Sequence, residues 1–441
     1  MTPPRRRVAV VGSGIAGLAA ARTLAPHAAV TLFEADARFG GHAHTVDVTL
    51  GGVTHGVDTG FLVFNERTYP QLIGLFDTLR VETAPSQMSF SVRVPAGRGT
   101  RAVEWSGTDL DSVFAQRGNV VRPAFWRMLA DLLRFNRLAI ALAERGDAAA
   151  LDAPLGEFLD RHRFSTAFRD WYLLPMLGCI WSCPTDQMLA FPVATMVRFC
   201  HNHGLLQVVG RPRWFTVVGG SRCYVEKMIA GVEDARRSTA VRAVRRLAGS
   251  NSVAVSTDRG TERYDDVVLA CHSDQALALL ADPRPVEREL LGAVRWQRNR
   301  AVLHTDASVL PARRRAWAAW NYERAAERSF EQAAVCLHYL IDRLQPLPFD
   351  RPVIVSLNPL APLDPARVLA EHDYAHPVFD RAAIAAQARL GELQGAAHTW
   401  YCGAWTRYGF HEDGLASGLA VAAALRAQWH QRDDPGLRAA A

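Results

Sequence analysis

Residues 8–34 read VAVVGSGIAGLAAARTLAPHAAVTLFE, and their reading decides the fold. Val8-Ala9-Val10-Val11 is a short apolar run suited to a buried parallel strand. Gly12-Ser13-Gly14-Ile15-Ala16-Gly17 is a G-x-G-x-x-G turn, and the alanine- and leucine-rich stretch 18–24 predicts a helix. Residues 30–33 predict a second strand, which ends at Glu34. Gly12 permits the tight turn, Gly14 lets backbone approach a pyrophosphate, and Gly17 lets helix pack on strand. The helix start offers unpaired N–H groups and the positive end of its dipole to phosphate. Glu34 lies 20 residues past Gly14, where an acid accepts hydrogen bonds from ribose hydroxyls. Strand, turn, helix and acid in this order predict a dinucleotide site in an α/β domain.

The 441 residues suffice for two domains, and 49% hydrophobic with 21% charged residues is ordinary for a globular chain. Disorder is expected only at residues 1–7 and after 432. No run approaches 18 apolar residues, so no membrane-spanning helix is expected. No apolar leader precedes the first strand, which predicts a cytoplasmic protein. Seven scattered cysteines do not form a disulfide framework. The net charge is +6, and Lys227 is the sole lysine. Such a surface suits anionic partners, including lipid headgroups, and nothing in its pattern points to nucleic acid.

Further along, 46–63 alternates around Gly51-Gly52 and predicts a hairpin. A helix is expected over 70–79, a strand over 87–94 and a long helix over 121–145. In that helix arginines 122, 127, 134 and 137 interleave with Phe125, Trp126 and Phe135, a mix compatible with a membrane surface or with a solvated domain helix. Residues 151–199 continue helical between prolines. Cys179, Cys183, Cys200, His201 and His203 lack zinc-site spacing, so no metal is expected. Strands are predicted over 239–244, 253–257 and 263–264, and over 264–271, the last closing the nucleotide sheet. Further strands over 300–304 and 335–339 belong to a second sheet, and the proline-rich 346–365 reads as loops.

Ala35-Asp36-Ala37-Arg38-Phe39-Gly40-Gly41-His42, with Thr45, resembles the second fingerprint of the FAD-binding superfamily of flavin amine oxidases, protoporphyrinogen oxidase and carotenoid desaturases. His42 departs from the usual arginine and lacks its fixed charge. The resemblance extends to Val57-Asp58-Thr59-Gly60-Phe61, the strand expected beneath the flavin, where a glycine admits the ring. It extends also to Gly219-Gly220, Val241 at the adenine edge, Ala270 near the pyrophosphate, and Gly403. The final motif is Gly409 to Gly418, with His411, Glu412, Gly414 and Leu415 at a helix start facing the flavin pyrimidine. The resemblance therefore implies an FAD site built from Gly12, Gly14, Ile15, Ala16, Gly17, Glu34, Ala35, Arg38, Gly40, Gly41, His42, Thr45, Gly60, Phe61, Val241, Ala270, Gly403, His411, Glu412, Gly414 and Leu415. The fold expected is α/β: a Rossmann-like FAD domain of the GR2, amine-oxidase type (1–80, 212–285, 396–441) with a discontinuous α+β substrate domain (81–211, 286–395).

No second G-x-G-x-x-G exists, so electrons should enter FAD from an organic substrate. Many amine oxidases place a lysine near flavin N5, whereas this chain has Trp296-Gln297-Arg298-Asn299-Arg300 in the corresponding stretch. The blocks GGHAHTVDV, DTGFLVFNERTYP, GCIWSCP, NHGLL, VLHTD, WAAWNY and YGFHEDGLASG resemble a branch that includes the flavoprotein desaturase of furan fatty acid synthesis and that occurs beside SAM-dependent fatty acid methyltransferases. That resemblance implies dehydrogenation of a methyl-branched acyl chain carried in a phospholipid, with a methyltransferase partner and a place at the inner membrane face. Trp181, Phe64, Tyr69 and Phe410 are expected to line the substrate chamber. His203, Asn202 and Glu66 are the candidate catalytic groups, since a histidine near neutral pKa is the natural base. A small-molecule flavin oxidase, such as an amine oxidase, and a non-catalytic FAD-holding scaffold stand as alternatives.

Overall fold

The computed structural model describes residues 5–97, 101–145, 152–207, 210–326 and 334–433. The outer parts of the two ends expected to be disordered, 1–4 and 434–441, lie outside the described residues. A five-stranded parallel sheet is built from Asp234–Arg236, Ala29–Phe33, Arg7–Val11, Asp266–Leu269 and Thr399–Tyr401, in that order. Its central strands are buried on both faces, which is why they read as unbroken apolar runs. The helix Ile15–Leu24 crosses one face, and the C-terminal helix His411–Asp433 packs along it.

Two expectations for this sheet are corrected. The 264–271 segment does not close it, because Thr399–Tyr401 pairs outside Asp266–Leu269. The opposite edge is Asp234–Arg236, which the sequence reading passed over. Both edge strands have three residues, too few to show a period.

The hairpin Thr45–Leu50 and Val53–Asp58 turns at Gly51 and Gly52, with φ of +57° and +82°, as a two-residue hairpin turn requires. A small sheet joins Thr83–Ser86, where the chain leaves the nucleotide fold, to Trp214–Val217, where it returns.

A seven-stranded sheet runs in the order Val368–Val378, Arg295–His304, Ile354–Leu357, Cys336–Leu340, Trp320–Glu323, Phe90–Val94, Val103–Ser106. Ile354–Leu357 corrects the reading of 346–365 as loops. It is a four-residue apolar strand between prolines, buried in the sheet interior. Helices Pro123–Arg145, Leu174–Trp181 and Val193–Asn202 cover one face of this sheet. Phe125, Met128, Phe135 and Ala139 share a core with Val92, Trp105, Leu337 and Tyr339. Burying each large side chain there contributes roughly 1.5–3 kcal/mol.

Candidate functional site: a convergence of three glycine turns

The glycine turns meet around Gly14–Ala16. Gly12 has φ +102°, and a Cβ on it would lie 2.8 Å from Ala270 O. Gly40 N–H donates to Ser13 Oγ at 3.1 Å, and a Cβ on Gly41 would stand 3.0 Å from Gly14 Cα. A Cβ on Gly414 would stand 2.7 Å from Ile15 Cγ2, and one on Gly418 would run into Ala16 O. Gly17 and Gly60 are equally tight, against Gly12 O and His42 O. Gly14 alone among these has open space where a Cβ would be, the clearance a pyrophosphate needs.

Glu34 closes the first turn. Its Oε2 accepts from Ser13 N–H (2.9 Å) and Ser13 Oγ (2.5 Å), and its Oε1 accepts from Asp36 N–H (2.9 Å). Val241 starts the strand Val241–Arg246, and Ala270 N–H donates to Val11 O.

Asp58 is a hub that the sequence reading did not single out. Its carboxylate accepts from Thr45 Oγ1 (2.6 Å), Ser221 N–H (2.9 Å), Ser221 Oγ (2.7 Å) and Gln345 Nε2 (2.9 Å). One buried carboxylate thus ties the second glycine fingerprint, the Gly219-Gly220 return and the Gln345 segment that follows the strand Cys336–Leu340 together. Burial outweighs these donors and raises its pKa to about 6.

Beside the turns lies a group of imidazoles. The His42 ring is 5.0 Å from Tyr374, 5.4 Å from His376 and 6.4 Å from His272, centroid to centroid. Burial is the main cause that lowers His42 to about 4 and His272 and His376 to about 3; next come Arg38 beside His42, and His42 beside the other two. All three are neutral at pH 7. His42 Nε2 is buried without a hydrogen-bond partner.

A chain of amides fixes the proton on His376. Arg300 N–H donates to Asn358 Oδ1, and Asn358 Nδ2 donates to Asn299 Oδ1. Asn299 Nδ2 is left to donate to Ser182 O and to His376 Nδ1 at 2.8 Å. His376 Nδ1 is therefore the acceptor, and Nε2 carries the hydrogen. His376 and Tyr374 were invisible in the sequence, because only the sheet register brings them beside Asn299.

His411 stacks on Phe61, with centroids 4.0 Å apart and 17° between planes, and its Nε2 lies 2.6 Å from Tyr224 OH. Burial lowers its pKa to about 3. The Glu412 carboxylate accepts from Gln71 N–H and Leu72 N–H, capping the helix Pro70–Leu79. The side chains of His411 and Glu412 are thus spent on protein contacts, which leaves their backbone at the helix start. Leu415 is buried beneath.

The sequence profile of the family described as flavin containing amine oxidoreductase matches residues 15–310. This chain belongs to that family. Among its relatives is a Mycobacterium tuberculosis protein named flavin-containing monoamine oxidase AofH, 27% identical over 307 residues, 66% of this chain and 63% of that one. The carotenoid phi-ring synthase of Streptomyces griseus is 31% identical over 331 residues, 69% of this chain and 59% of the synthase. The chain thus spans less than two thirds of these relatives' lengths. The CLA-producing fatty acid isomerase from P. acnes shares the fold with TM-score 0.66 at 16% identity, over 95% of this chain and 98% of the isomerase.

The residues fit the flavin of this family. Gly14 offers clearance, Glu34 is presented at the strand end, and the buried His42 Nε2 lacks the partner that a cofactor oxygen would give it. Bound FAD would supply hydride acceptance, and the chain supplies position and dryness.

The residues expected for substrate and catalysis are placed unequally. Phe410 stacks on Phe199 (4.7 Å, 20°), Phe199 meets Trp181 at 5.0 Å, and His203 stacks on Phe199 at 3.9 Å. Tyr69 lies 6.5 Å from His203. Trp181 is buried and its Nε1 has no partner. His203 Nδ1–H donates to Phe199 O at 3.0 Å, which leaves Nε2 as the lone-pair nitrogen. Burial lowers His203 to about 4.

Three expectations are corrected by placement. Phe64 is core, packed between Phe76 and Phe215. Glu66 is a half-exposed surface carboxylate gripped by Arg213 at 3.2 and 3.0 Å. Asn202 is exposed at the end of its helix.

Cys183 and Cys200 are core thiols, pushed up by burial to about 12, so they are not thiolates. Elsewhere Glu323, Cys336 and His338 converge within 4.8 Å. There His338 already bonds Glu323 Oε2 (3.2 Å) and Ser356 Oγ (2.7 Å), so the groups satisfy one another.

Proposed function

We propose that this chain is an FAD-dependent oxidoreductase that dehydrogenates a methyl-branched fatty acyl chain, removing one hydride and one proton from adjacent carbons. The observation that carries the reading is the apolar aromatic cluster of Trp181, Phe199 and Phe410, which carries the neutral His203 and the unpartnered Trp181 Nε1. A chamber bordered by such a cluster would suit a long uncharged substrate better than an ammonium ion.

The sole lysine supports this. Lys227 Nζ donates to Leu79 O and Arg80 O, capping the end of a surface helix. In the stretch where many amine oxidases carry a lysine, Asn299 stands instead, and it donates to His376 of the neighbouring strand. The relative named for carotenoid ring synthesis and the fold shared with a fatty acid isomerase are both consistent with an apolar substrate.

In this reading the aromatic cluster orients the chain and excludes water. His203 Nε2 takes the proton lost from the acyl chain, and bound FAD would accept the hydride. Oxygen or another acceptor would take the electrons from the reduced cofactor.

The test is mass spectrometry of phospholipids carrying methyl-branched acyl chains, after incubation with flavin-loaded protein and an electron acceptor. A product lighter by two hydrogens supports the reading. Unchanged lipid, with oxidation of aromatic amines or polyamines under the same conditions, establishes an amine oxidase instead.

A further inference from the structure

Among the described residues, large apolar side chains left open to solvent are few, and most of them fall between residues 110 and 133. Val121 is 84% exposed, Leu110 79%, Trp126 and Leu133 51% each, and Val120 48%. They are neighbours. Trp126 Nε1 donates to Val120 O at 2.7 Å, the Phe114 ring lies 5.4 Å from Trp126, and Phe114 N–H donates to Leu110 O. Along the helix Pro123–Arg145, Trp126, Ala130, Leu133 and Arg137 recur at i, i+4, i+7 and i+11, all exposed. Single exposed apolar residues are normal, but a contiguous stripe is not.

Charge surrounds the stripe. Arg127 and Arg134 run along one side of it, both held by the buried Asp131 at 3.4 and 3.0 Å. Arg122 lies at its head, its guanidinium over Trp171. The exposed run Arg313-Arg314-Arg315 is brought alongside by the Arg315–Asp111 pair at 3.3 Å. Arginines outnumber carboxylates around the rim, and no helix of the described residues is long and apolar enough to cross a membrane.

We infer that this stripe is a docking surface for an anionic lipid bilayer. Val121, Leu110 and Trp126 enter the headgroup boundary, the helix lies along the surface, and the arginine rim pairs with lipid phosphates. A protein partner with an acidic groove would match the charge, but a convex apolar line edged by arginines matches a flat, anionic, apolar-cored surface. The inference deepens the acyl-chain reading, because a substrate drawn from a bilayer must be met at its surface. Docking is measured without turnover, so the two readings fail separately.

The experiment is co-sedimentation of flavin-loaded full-length protein with vesicles of equal phosphatidylglycerol and phosphatidylcholine, and with vesicles of phosphatidylcholine alone. The wild type binds the mixed vesicles at least tenfold more tightly, and high salt weakens that binding. Val121→Asp with Trp126→Asp, and separately Arg314→Glu with Arg315→Glu, each lower the affinity at least tenfold while FAD content and thermal unfolding stay unchanged. Equal binding to both vesicle types, or undiminished binding by both variants, overturns the inference. So does conversion of a self-associated wild type to monomer by the aspartate variant, which assigns the stripe to a second copy of the chain.

Discussion

Asn299 Nδ2 donates to His376 Nδ1 across 2.8 Å, and this one contact settles which ring nitrogen carries the hydrogen. The amide cannot turn over, since Asn358 donates to its oxygen. Asn299→Asp replaces the donor with a carboxylate, which favours the imidazolium. The expected outcome is a His376 pKa raised well above its present value of about 3, read by NMR titration of the ring, with FAD still bound. An unchanged titration would mean that the amide does not govern the ring.

Asp58 and the imidazoles act on stability with opposite signs. The folded-state pKa of Asp58 is raised to about 6 from an ordinary 3.8, so its folded form prefers the proton. Its contribution is full below pH 4 and is lost as pH rises towards 6, about 3 kcal/mol for two units. His42, His272, His376 and His411 are depressed to about 3–4 from 6.5, so their contribution is full above pH 6.5 and is lost as pH falls towards 4. Four histidines outweigh one aspartate. Thermal unfolding followed against pH should therefore show stability falling below pH 6.5, and a rise on acidification would contradict the assignment. Asp58→Asn puts an amide N–H against a ring of donors, and a loss of about 2–4 kcal/mol is expected.

Gly418→Ala tests the joint between the first and last motifs. The new methyl meets the Ala16 carbonyl, which belongs to backbone and cannot yield cheaply. Destabilisation of about 1–3 kcal/mol from overpacking is expected, with FAD content reduced. Gly74→Ala, at an exposed helical position with open space and no positive φ, is the control for substitution as such.

His203→Ala addresses the proton. Normal FAD content with flavin reduction slowed about 10²–10⁴-fold is expected of a base. Since burial lowers the ring to about 4, the wild-type rate should fall only as pH drops through that region, not near 6.5. Unaltered reduction by substrate would discard the role.

The sequence carried what is local. The helix expected over 70–79 is Pro70–Leu79, and the fingerprint glycines stand at the contacts their spacing implied. Long-range pairing was not legible. Val368–Val378 is an edge strand whose exposed side chains hide its role, and Ile354–Leu357 is too short to outweigh flanking prolines. Asp58 looked like part of a strand motif, and only the return of Ser221 and Gln345 makes it a hub. Phe64 and Glu66, read as site residues from their motif, point to a core and to solvent, because the short strand Phe64–Asn65 ends between them and the chain turns at Glu66.

The most direct measurement is anaerobic mixing of flavin-loaded protein with methyl-branched phospholipid while the yellow absorbance is followed. Bleaching by the lipid, and none by aromatic amines or polyamines, is the outcome expected of hydride loss from an acyl chain held against the aromatic cluster. A flavin that keeps its colour with the lipid and fades with an amine would contradict it.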